Sequence, residues 1–179
     1  DLRSAEEGFK RFELDTTWRN ATYLSRVESM APAMDAEEAV EIDKLLKQLE
    51  QAQATAQIFR EREVGLEVNM PEPPPIVRAD RDRLVQVLLN LLSNAVKFCP
   101  RETGRVQIGV ETRRGVVRVD VRDNGPGIAG EDREVIFEKF RQGGDTRINR
   151  PAGTGLGLPI SRQIVEHLGG RLSVESLPG

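Results

Sequence analysis

The feature that most constrains this chain is the run from Leu84 to Phe98, a helix-forming stretch with a polar stripe that an ordinary core helix would not need. At about 100° per residue, Leu84, Leu88, Leu91, Leu92 and Ala95 gather on one side as the buried stripe of an amphipathic helix. Gln86, Asn90, Asn94 and Lys97 fall within roughly 80° of one another on the other side. Surface faces are usually filled with Glu, Lys and Arg, whereas Asn is a poor helix former and Ser93 weakens the helix further. An Asn carbonyl is a hard oxygen ligand that Mg²⁺ accepts beside phosphates and water, and the Lys97 ammonium suits the same phosphates. Taken alone, the stripe reads more readily as a solvated polar face than as a ligand site.

Two glycine-rich stretches narrow the choice. Asp123-Asn124-Gly125-Pro126-Gly127-Ile128 follows a strand pattern, and Gly153-Thr154-Gly155-Leu156-Gly157-Leu158 opens a second helix. A carboxylate at a strand end can accept the exocyclic amino hydrogens of adenine, which guanine's O6 would repel; Asp and Asn also simply start turns. Gly125 and Gly127 let the backbone approach a ring or bend sharply. The N–H groups and positive dipole end of a helix entered through glycines can face phosphates, although such a turn alone could be only a hinge.

With Asn90–Phe98 first and Phe137-Glu138-Lys139-Phe140 between the two glycine stretches, the order is Asn box, Asp-Gly box, Phe box and Gly box. This set resembles the catalytic and ATP-binding domain of sensor histidine kinases, within the ATPase superfamily shared with gyrase, Hsp90 and MutL, over about residues 40–179. The resemblance implies ATP and Mg²⁺ as ligands. It would place Asn94 on Mg²⁺ with Asn90 assisting, Lys97 on the phosphates, Phe98 against the adenine and Asp123 on its amino group. Gly125, Gly127 and Ile128 complete the implied adenine side, and Gly153, Thr154, Gly155, Leu156, Gly157 and Leu158 the phosphate side. The polar segment from Arg141 to Ala152 looks like a mobile lid rooted by Phe137 and Phe140. Many family members carry an aromatic and then Arg after the second Phe. Here Arg141 and Gln142 follow, which leaves Arg141, Arg147 and Arg150 as alternative lid cations.

The implied reaction is transfer of the γ-phosphoryl group of ATP to a histidine on a dimerisation hairpin, for relay to a response-regulator aspartate. The only histidine, His167, reads as a helix-terminal residue, so the phosphoacceptor is absent and no catalytic side chain is assigned. The implied partners are that hairpin, a second copy of the full-length protein and a response-regulator receiver domain. A nucleotide-clamp ATPase of the same superfamily is disfavoured because Gln86 stands where those enzymes use a Glu to activate water. A non-catalytic docking adaptor is disfavoured by intact Asn94, Asp123 and Gly box.

The rest of the chain predicts a two-layer α/β (α+β) sandwich, helices on one face of a mixed, mostly antiparallel sheet, after a long N-terminal helix; the resemblance implies that this is the Bergerat ATP-binding fold. Residues 1–30 show helical spacing and resemble the end of the second hairpin helix; 31–39 are a linker; 40–179 form the catalytic domain. Within it we expect a short strand at 39–42, one helix over 43–62, strands at 66–70 and 76–78, and Asp80 capping the central helix. An antiparallel pair at 105–112 and 116–122 buries one face, a short helix lies near 131–138, a helix spans about 155–168 and a last strand 172–175. Pro71, Pro73, Pro74 and Pro75 form a stiff connector.

Composition excludes several alternatives. A net charge of −3 and a pI near 5.4 provide no basic field for nucleic acid. The single cysteine, Cys99, forbids an intrachain disulfide and reads as a small spacer. No apolar run reaches the roughly 20 residues that span a bilayer, and no signal peptide is visible. A start at Asp1 suggests a cytoplasmic piece of something longer, which leaves membrane anchoring of the full-length protein open.

Overall fold

The computed structural model describes residues 23–29, 38–113, 116–128, 132–138 and 155–176. The central helix α3 (Arg81–Phe98) starts where expected, with Asp80 Oδ1 accepting the Arg83 N–H at 3.0 Å. All five residues of its predicted apolar stripe are buried, joined by Val87 and Val96. They rest on Val106, Ile108 and Val110 of strand β5 (Arg105–Arg113) and on Val117, Val119 and Val121 of strand β6 (Val116–Asp123).

Five strands form the main sheet in the order β3 (Gly65–Asn69), β5, β6, β1 (Tyr23–Ser29), β7 (Gly170–Glu175). Only the β3–β5 pair is parallel, so the sheet is mixed and mostly antiparallel as predicted. Helix α3 packs on β5 and β6; after the short α4 (Asp132–Val135), α5 (Gly157–His167) packs on β7, β1 and α3. A separate antiparallel ribbon pairs β2 (Glu38–Glu41) with β4 (Ile76–Ala79), closing Val40 over Val77.

Three expectations change. The helix predicted through Met30 gives way over Tyr23–Ser29 to strand β1, antiparallel to both neighbours, with Val27 opposite Val119 of β6 and Leu172 of β7. Residues 1–22 and the linker through 37 lie outside the described residues.

The helix expected over 43–62 is two helices, α1 (Ile42–Gln51) and α2 (Gln53–Arg62), broken at Ala52 with φ −59° and ψ 123°. The buried residues of α1 are Ile42, Leu45, Leu46 and Leu49, and those of α2 are Thr55 and Phe59. In one unbroken helix these two sets would point roughly 110° apart. The break turns both toward the core.

The third change is that β6 is buried on both faces. Opposite its valines, Arg118 and Asp120 are also buried and sit in ion pairs, Arg118 with Glu111 at 2.9 Å and Asp120 with Arg122 at 2.7 Å. Burial pushes the Asp120 carboxyl up to about 6 despite that guanidinium.

Candidate functional site

Strand β6 delivers Asp123 to the sheet end beneath the C-terminus of α3. The residue is 3% exposed, and its Oδ1 accepts the Gly125 N–H at 2.8 Å. Burial, only partly offset by that hydrogen bond, raises its pKa to about 7. Gly125 is where the turn meets the helix. A Cβ there would stand 2.8 Å from the Phe98 carbonyl oxygen and 2.7 Å from Asp123 Oδ1, so only glycine permits the approach. Gly127, with φ 74°, carries the chain out of the turn, and the Ile128 N–H donates to Ser176 Oγ at 2.7 Å.

At the other end of the same helix face, Asn90 Nδ2 donates to Ser161 Oγ of α5 at 2.8 Å. Gly157 lies directly against that amide, since a Cβ on it would fall within 2.9 Å of Asn90 Cγ. Gly155, with φ 68°, bends the chain into α5, whose N-cap position is Leu156. A leucine side chain offers no oxygen to the N–H groups of the first turn, and Pro159 in that turn has no N–H to satisfy. Leu158 packs against the core behind them.

Asn94 falls on α3 one turn from both Asn90 and Phe98, hence between the two glycine turns, and is half-buried. Lys97 sits one turn further. Its Nζ lies 5.3 Å from the centroid of the exposed Phe98 ring, and partial burial, then the nearby Arg62, lower its pKa. An anion bound there would oppose both causes. Gln86 is exposed one turn before Asn90.

The structure thus sets Gly125, beside Asp123, against Phe98 and Gly157 against Asn90, at two points along the stretch of α3 that carries Asn94 and Lys97. Phe140, Arg141, Gly153 and Thr154 lie outside the described residues. Phe137 is half-buried against the core, with the Arg162 guanidinium 4.8 Å above its ring. His167 ends α5 and is exposed, as a helix-terminal residue should be.

Two serines behind the site escaped the sequence reading, and Asn124 was read there only as a turn residue. Ser161 meets Asn90, and Ser176 meets Ile128 and, through its carbonyl, Arg133. Asn124 pins the end of β6 to the start of β5, accepting the Arg105 N–H at 2.7 Å and donating to Thr103 O at 2.9 Å. Both serines were unremarked polar residues whose partners lie far away in sequence, whereas Asn124, inside a motif, carried a local signal but not its partners.

The profile of the histidine kinase-, DNA gyrase B- and HSP90-like ATPases matches residues 79–179, from the end of β4 past the Gly box, α5 and β7. The chain belongs to this ATPase family. Within it the relatives are sensor histidine kinases. Sensor histidine kinase AruS of Pseudomonas aeruginosa is 54% identical over 101 residues, covering 54% of this chain and 10% of AruS. The chain therefore spans about a tenth of that relative's length. Among solved structures, the nucleotide-free catalytic domain of histidine kinase ThkA is similar with a TM-score of 0.64 and 28% identity, over 81% of this chain and 96% of that one. Full-length ShkA in complex with AMPPNP gives 0.63 and 30%, over 83% of this chain and 34% of that one. ThkA in complex with response regulator TrrA gives 0.59 and 25%, over 79% and 41%. Hard amide oxygens, a partly desolvated ammonium and a buried carboxylate beside two glycine cradles suit a nucleotide and its cation. Among the described residues no helix of this ATPase domain is long and apolar enough to cross a membrane.

Proposed function

We propose that this domain binds Mg²⁺-ATP along the polar face of α3 and presents the γ-phosphoryl group to a histidine of a dimerisation hairpin, for relay to a response-regulator aspartate. The observation that carries this is the packing of two glycine turns against one helix face, Gly125 at Phe98 and Gly157 at Asn90, with Asn94 between them. Asp123 would hold the adenine amino group, with Gly125, Gly127, Ile128 and Phe98 around the ring. The first turn of α5, from Gly155 through Leu158, with Gly153 and Thr154 before it, would face the phosphates beside Lys97. Asn94, assisted by Asn90, would hold Mg²⁺, which when bound neutralises phosphate charge as it develops. Amide oxygens and the phosphate oxygens of the nucleotide are hard donors of the kind Mg²⁺ takes. Phosphoryl transfer is largely positioning and charge neutralisation, and what these residues supply is orientation. Phe140 and Arg141 belong to the lid on this reading, with Arg141, Arg147 and Arg150 as candidates for the γ-phosphate.

The reading extends to the whole protein. On this reading the domain works on the cytoplasmic side, and the full-length protein is a homodimer joined through its hairpin. Response-regulator partnership is supported by the ThkA complex with TrrA, and nucleotide binding by the ShkA complex with AMPPNP.

Calorimetry with Mg²⁺-ATP tests the core of it. The wild-type chain should bind, Asp123→Asn should lose binding by at least about a hundredfold while staying folded, and addition of a hairpin bearing the histidine should restore phosphotransfer. An unchanged affinity in Asp123→Asn would refute the assignment.

A further inference from the structure

The Asn90 amide is wedged against the first turns of α5, between Gly157 on one side and Ser161, one helical turn later, on the other. Ser161 is 2% exposed. An alanine would suit both the helix and the burial better, so packing alone gives no reason for a hydroxyl there. A serine inside a helix commonly turns its hydroxyl proton back to a carbonyl one turn earlier, which leaves its oxygen lone pairs to accept. With Oγ as the acceptor, the 2.8 Å contact selects the Asn90 nitrogen, and the amide carbonyl is turned toward Gly157 and the entrance of α5. An Asn amide without such a partner can flip its oxygen and nitrogen at little cost, and a nitrogen aimed at a cation would repel it.

We propose that Ser161 is a positioning residue of the nucleotide site, whose buried hydroxyl holds the Asn90 carbonyl toward the phosphate and Mg²⁺ end. The role presupposes the Mg²⁺-ATP site proposed above. Because the oriented group is a carbonyl, its benefit goes to the cation and not to the phosphates, which share its negative sign. Gly157 is the second half of the device, since any side chain there would push the amide out of place.

The test is calorimetry on the 179-residue chain with ATP, once with Mg²⁺ and once with EDTA. Ser161→Ala should weaken Mg²⁺-ATP about tenfold and leave metal-free ATP within about twofold. In an Asn90→Ala background, Ser161→Ala should cost nothing further, because the two act as one unit. Equal weakening of ATP with and without Mg²⁺ would reduce Ser161 to a packing residue, as would an undiminished Mg²⁺-ATP affinity or additive losses in the double variant. Failure of the wild-type chain to bind ATP in either buffer would instead overturn the nucleotide site itself.

Discussion

At pH 8 the folded domain holds Asp123 as a carboxylate in its core, although burial has pushed the pKa up to about 7 from an ordinary 3.8. Between those values the folded state keeps a proton that the unfolded chain has released. Stability therefore falls as pH rises from about 4 to about 7 and levels off above. Asp123→Asn removes the charge, while its amide oxygen can still accept the Gly125 N–H. We expect it to raise Tm at pH 8 by about 4–8 °C and to change little at pH 4, while nucleotide binding is lost. Asp120, pushed up to about 6, adds a dependence of the same sign that ends lower, so the variant should lose the slope between about pH 6 and 7 and keep a reduced one below. Thermal melts across pH check this, and a variant less stable than wild type at pH 8 would contradict it. Asp123 was legible because chemistry, strand end and glycine turn coincide within a few residues. Ser161 and Ser176 were not, because a buried serine acquires meaning only from a partner that the fold brings to it.

Elements followed the same rule. Helix α3, strands β5 and β6, helix α5 and strand β7 were readable since period, cap and turn residues agree at each. The cap is a separable contribution, and Asp80→Ala should cost about 1 kcal/mol in urea unfolding without altering the affinity of the folded chain for ATP. The contact of the Asp-Gly turn with α3 should not be separable in this way. Gly125→Ala places a methyl against the Phe98 carbonyl, and backbone on both sides cannot yield cheaply. It should weaken nucleotide binding and lower Tm together, measured by calorimetry and thermal melts. Strand β1 was misread because Trp18, Ala21, Leu24 and Val27 have helical spacing, whereas alternation in Tyr23–Ser29 is weak. What holds it is pairing with β6 and β7, distant in sequence. The break at Ala52 has no glycine or proline to announce it, and only the change in direction of the two buried stripes explains it.

Across the whole molecule the site joins two halves, since α3 rests on β5 and β6 while α5 rests on β7 and β1. A ligand touching both α3 and α5 should stabilise the fold as one unit. At about 100 times its Kd, Mg²⁺-ATP would add about 2.7 kcal/mol, and the shift in melting temperature should be smaller with ATP in EDTA. Beneath this junction lies Cys99, buried just past α3, its Sγ 3.6 Å from both Arg105 O and Asn124 Oδ1. Burial and the neighbouring Asp123 push the thiol up to about 11, so in the closed molecule it is nearly devoid of thiolate. Alkylation by iodoacetamide must then wait for the molecule to breathe. The rate at which this one sulfur is labelled becomes a clock for local opening, and saturating nucleotide should slow it.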